Sequence, residues 1–82
     1  MTQRARLKWH CRRGMRELDL LLDEFLETEY EGLSAEDRDR FEQLLECRNE
    51  DLMDWLMEGA SPPDEELAGI VSRVRERRAP SD

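Results

Sequence analysis

The chain has 82 residues, a formal charge of −8 at pH 7, and 41% charged against 38% hydrophobic residues. Such a length supports one domain with one modest core, since a domain this small buries only about two-thirds of its unfolded surface, and a deep substrate cavity is not expected. No run approaches the roughly 20 apolar residues that span a bilayer, and no apolar signal core opens the chain, so a cytoplasmic protein without membrane insertion is expected.

This composition lies near the border at which chains stop folding, yet the apolar residues cluster at helical spacing, which favours a fold. Charge is unevenly spread. Residues 1–16 carry only Lys and Arg, residues 17–66 are dominated by acids, and the last stretch turns Arg-rich again. Cys11 and Cys47 lie far apart with no metal-ligand spacing, so free thiols in a reducing compartment are expected.

Taken in order, Gln3 to Arg13 contains no Gly or Pro and sets Leu7, Trp9 and Cys11 among basic residues, which predicts a short basic helix. Arg12 and Arg13 fall in its last turn, where cations suit the helix dipole, and Gly14 takes the left-handed stop. A second helix runs from Met15 to about Glu29. It sets Met15, Leu18, Leu21, Leu22, Phe25 and Leu26 on one face and Asp19, Asp23, Glu24 and Glu27 on the other. Glu17 falls in its first turn, where a carboxylate is favoured.

Gly32 interrupts this pattern, and Ser34 to Asp37 carries an S-x-x-D capping signature that opens a third helix with Phe41, Leu44 and Leu45 inward, ending near Cys47. Asn49 is expected to cap a short fourth helix with Leu52, Trp55 and Leu56 inward, stopped by Gly59. Ser61-Pro62-Pro63 reads as the cap and first turn of a fifth, with Leu67, Ile70, Val71 and Val74 on its inner face. The predicted fold class is therefore all-α, a single-domain bundle of about five short helices over residues 1–82. Its ordered core is expected over about 3–77, with a frayed tail at 78–82.

Candidate sites are few. His10 has no neighbouring acid to orient it, Cys11 next to it points to another helix face, and one His with two distant Cys makes no metal set, so neither catalysis nor a metal is expected. The acidic clusters lack the glycine-bearing calcium-loop pattern and read as solvated surface. A phosphate-contacting role for the basic first helix is opposed by the acidity of the remainder, so no nucleic-acid partner is expected. Trp55 is expected in the core, whereas Trp9 either packs across the first corner or serves a partner surface.

The stretch Arg12 to Asp19 remains. Helix physics accounts for much of it through a cap, a dipole and an Arg13–Glu17 pair. It also frames Met15, as an exposed apolar residue, between opposite charges in the manner of an interaction hot spot.

Arg13-Gly14-Met15-Arg16-Glu17 resembles the R-G-x-x-E signature of the small SdhE-type flavinylation (FAD assembly) factors of succinate dehydrogenase. The resemblance extends through Trp9, Arg12 to Asp19, Tyr30 with Leu33, Phe41 with Leu44-Leu45-Glu46-Cys47, and Asp51-Leu52 with Trp55-Leu56, covering about residues 6–74. Arg48-Asn49 departs from it, standing where a more acidic turn pair is expected.

The resemblance implies a non-enzymatic assembly chaperone. It would bind the apo flavoprotein subunit of succinate dehydrogenase, with fumarate reductase as a second candidate client, and promote covalent attachment of FAD to a client histidine. FAD would belong to the client, with no cofactor bound stably here, and the protein would act as a monomer. Arg13, Gly14 and Glu17 carry over as partner-binding residues, with Arg12, Met15 and Trp9 joined to them by adjacency. The competing reading is an acidic helical interaction module, such as an antitoxin-like inhibitor of a basic partner, recognised by charge complementarity.

Overall fold

A computed structural model describes the backbone of residues 3–78 and the side chains of residues 5–77. Among the described residues there are five helices and no strand: α1 (Gln3–His10), α2 (Arg16–Thr28), α3 (Ala35–Leu45), α4 (Asn49–Leu52) and α5 (Glu65–Arg78). A 3-10 turn, Tyr30–Gly32, links α2 to α3, and α4 widens into a π turn over Met53–Met57. The all-α class and the five helices agree with the sequence reading. Of the tail expected to fray over 78–82, Arg78 ends α5, and Ala79 to Asp82 lie outside the described residues.

α2 is the central element. Its 3.6-residue apolar period buries Leu18, Leu21, Leu22, Phe25 and Leu26 on one face. Against that face pack Phe41, Leu44 and Leu45 from α3, Leu52 and Leu56 from the α4 region, and Leu67, Ile70, Val71 and Val74 from α5. Phe41 lies at the aromatic centre, with its ring centroid 5.1 Å from that of Phe25 and 5.9 Å from that of Tyr30. Each such side chain removed from water stabilises the fold by roughly 1.5–3 kcal/mol, so α2, α3 and α5 carry most of the packing energy.

Among the described residues, α1 and the turn after it join the core through Leu7 and Cys11. Charge supplements this thin contact: Lys8 Nζ lies 3.3 Å from Asp23 Oδ1 and also pairs with Glu27. The hydrogen bonds to Glu27 and then Asp23 hold the Lys8 ammonium above its usual pKa.

Several local expectations are corrected. α1 ends at His10, not Arg13, so Arg12 and Arg13 lie in the corner beyond its last turn. Ser34 does cap α3, its Oγ accepting from Asp37 N–H at 3.1 Å. α5 is capped by Asp64, not Ser61: Asp64 Oδ1 accepts from Glu66 N–H at 2.9 Å, one turn later than the prolines suggested. Asn49 is already inside α4, whose cap position is Arg48 without a side-chain bond. Trp55, expected in the core, lies in the π turn and is only half-buried against that core. Gly59 does stop that segment at φ 90°, letting the Ala60 N–H reach back to the Asp54 carbonyl at 2.9 Å.

Candidate functional site

The corner between α1 and α2 is set by Gly14. Its φ of 82° lies in the left-handed region that L side chains rarely adopt, so a glycine is required here by backbone geometry. No atom stands within 4 Å of where a Cβ would sit, so the requirement is conformational and not steric.

Two polar devices hold the corner. Met15 occupies the cap position of α2 and supplies no side-chain hydrogen bond. The carboxylate of Asp19 instead reaches back from the first turn. Its Oδ1 accepts from the Arg13 N–H at 2.7 Å and its Oδ2 from the Gly14 N–H at 3.1 Å. Charge-assisted bonds of this kind, at the positive end of a helix, are among the stronger ones available to a small protein.

The second device is the Arg13 side chain. Its Nε donates to the His10 carbonyl at 3.2 Å, closing the end of α1. Its Nη1 donates to the Cys47 carbonyl at 2.7 Å and to Asn49 Oδ1 at 3.3 Å, tying the corner to the α3–α4 turn. These acceptors are neutral, so the guanidinium charge is held in place without being cancelled.

The sequence-predicted site residues therefore divide. Arg13 and Gly14 shape the corner, and Met15 is half-buried against the core instead of standing exposed. Glu17, Arg12 and Arg16 are exposed. No ion pair joins Arg13 to Glu17 among the described residues, because the guanidinium is turned toward Cys47 and Asn49. Trp9 is 69% exposed, so of its two expected placements the structure adopts the surface one.

Sequence reasoning missed three participants. Asp19 was assigned to the solvated face of α2, whereas it is half-buried and bonded to the corner amides. An uncapped helix start after a glycine turn, with an acid in its first turn, was the available signal. Asn49, part of the departure from the family pattern, receives the Arg13 guanidinium. Leu20 is 59% exposed one turn beyond Glu17, an apolar residue on the outer side of α2 that a core-seeking reading passes over. Arg12 lies between two hollows, one of about 600 Å³ that includes Trp9, Leu45 and Asn49, and one of about 300 Å³ that includes Cys11 and Leu20.

Cys11 is buried, and burial, followed by the nearby Asp23 charge, pushes its thiol up to about 12. Burial, followed by Asp51, also raises Cys47. Neither favours the thiolate that a nucleophile needs. Among the described residues no cluster of His, Cys, Asp or Glu is arranged to hold a metal ion.

The profile of the family described as "Flavinator of succinate dehydrogenase" matches residues 5–78. The chain belongs to that family. It is 46% identical over 79 residues to the FAD assembly factor SdhE of Pseudomonas aeruginosa, covering 96% of this chain and 94% of that one. It is 49% identical over 76 residues to the protein of that name from Shewanella oneidensis, covering 93% of each. The Yersinia pestis protein of that name is 46% identical over 77 residues, covering 94% of this chain and 88% of its own. Membership of this family, inferred from the R-G-x-x-E corner, is thus found across nearly the whole chain.

Proposed function

We propose that this protein is an assembly factor that binds the apo flavoprotein subunit of succinate dehydrogenase and promotes covalent attachment of FAD to it, with fumarate reductase as a second client. The observation that carries the reading is the match of residues 5–78 to the flavinator family, a range that includes the R-G-x-x-E corner. The relatives share one name, FAD assembly factor, which favours this reading over an acidic inhibitor of a basic partner.

In this reading the corner is the docking element. Exposed Glu17 and Arg12 offer charge, exposed Trp9 offers apolar area, and Arg13, Gly14 and half-buried Met15 set the shape beneath them. Flavin and acceptor histidine both belong to the client, so the factor supplies no cofactor of its own and acts without being an enzyme. Its contribution is to hold client segments in an orientation that favours the attachment, an entropic and positional effect. It acts as a monomer in the cytoplasm.

The test is to co-express the flavoprotein subunit with and without this protein, under conditions where flavinylation is limiting, and to read flavin fluorescence in a denaturing gel. A fluorescent band that depends on the protein is expected. Equal bands in both lanes would sink the reading.

A further inference from the structure

We infer that Asp19 and Asn49, both outside the R-G-x-x-E motif, are positioning residues that hold the corner in its docking shape; this rests on the corner being the client-binding element. Both Asp19 oxygens are taken up by backbone N–H groups, those of Arg13 and Gly14, and Asp19 forms no ion pair among the described residues. Its role is therefore geometric. Asn49 is not used to cap α4, which leaves its side-chain oxygen to receive Arg13 Nη1.

The corner depends on such bonds because its own backbone provides little. Between α1 and α2 the loop retains hydrogen bonds from Cys11 and Arg12 back to α1, and from there to Arg16 the chain passes through a glycine with wide conformational freedom. Glu17 and Asp19 share the first turn of α2. Asp19 therefore fixes where the Arg13 and Gly14 backbone stands relative to the Glu17 carboxylate. The Arg13 to Asn49 and Cys47 bonds fix the same corner against the far end of α3. Arg13 thus works as an internal strut, and the groups left to meet a client are the exposed ones around it.

If the docking shape is held this way, releasing it lowers the competent fraction and weakens binding in proportion, without loss of the core. The test uses the full chain, isotope-labelled, as wild type, Asp19→Ala, Asp19→Asn and Asn49→Ala. Amide exchange at Arg13 and Gly14 is followed by NMR, affinity is titrated against purified apo flavoprotein subunit, and folding is monitored by thermal melt. For Asp19→Ala, exchange at both amides is expected to quicken and affinity to fall roughly tenfold or more, as befits loss of charge-assisted bonds. Asp19→Asn keeps one acceptor oxygen and should recover part of both losses, and Asn49→Ala should weaken binding several-fold with the melt nearly unchanged.

Fast exchange with unchanged affinity in Asp19→Ala would overturn the positioning role, as would unchanged exchange. If Asp19→Ala fails to fold, Asn49→Ala decides alone, and full affinity there overturns the proposal. Failure of the wild type to bind the flavoprotein, while Asp19→Ala still loses amide protection, would instead strike the docking reading itself.

Discussion

The α2 helix and the corner that precedes it are held by different physics. α2 is packed along its length, from Leu18 to Leu26, by apolar side chains of the core, whereas the corner is fixed by a few hydrogen bonds to Asp19, Cys47 and Asn49. Apolar packing tolerates small shifts and gives stability in bulk, while hydrogen bonds of fixed direction give little net energy but one geometry. A small protein can thus keep its stability in one place and its recognition surface in another, with few side chains serving both.

The largest expected effect breaks the packed helix. Leu22 is fully buried, so Leu22→Ala should cost about 2–5 kcal/mol and lower the melting temperature by about 10 °C or more, read by circular dichroism. Its flavinylation defect should then follow the folded fraction. Gly14 lies between the two regimes. Gly14→Ala should cost about 1 kcal/mol for the left-handed backbone, with the same cost in a melt of Gly14→Arg, since the space around the position is open. Gly14→Arg should also abolish client binding in a pull-down while remaining folded, and unfolding of that variant would remove the separation between docking and fold.

Alkaline titration sharpens the contrast at α1. The Cys11 thiol rises from 9.0 to about 12 on folding, so across that window the unfolded chain has lost a proton that the folded chain keeps. Stability is therefore full below pH 9 and declines toward pH 12. The Lys8 ammonium, raised above 10.5 by Glu27 and Asp23, adds stability that is present below that value and lost as pH rises through the folded one. Denaturant melts at pH 8 and pH 11 should show the fall, and Cys11→Ala should reduce it, leaving the share of Lys8 together with those of Cys47 and Tyr30, which burial also raises. In the folded protein a thiol reagent should label half-buried Cys47 well before Cys11.

The sequence was legible where one local period decides the outcome. The α2 face, the α5 face and the Ser34 cap could be read directly, because each depends on residues three or four positions apart. The corner could be located, through its charge boundary, glycine and signature, but not resolved. Its geometry depends on Arg13 meeting Cys47 and Asn49, which come within its reach only once the helices have packed together. Asp19 was misread because helical periodicity assigns a side chain to a face without saying that an uncapped turn lies within its reach. The shift of the α5 cap from Ser61 to Asp64 is a similar case, with two candidate caps and the choice made by how the preceding loop packs.

The smallest expected effect on stability tests the central claim most directly. The Glu17 side chain is exposed and without a hydrogen-bond partner among the described residues, so Glu17→Ala should leave the melt within about 0.5 kcal/mol of wild type. The same variant, co-expressed with the apo flavoprotein subunit, should lose most of the covalent flavin band in a denaturing gel. A full-strength band from a normally folded Glu17→Ala protein would contradict the assignment of the corner as the docking site.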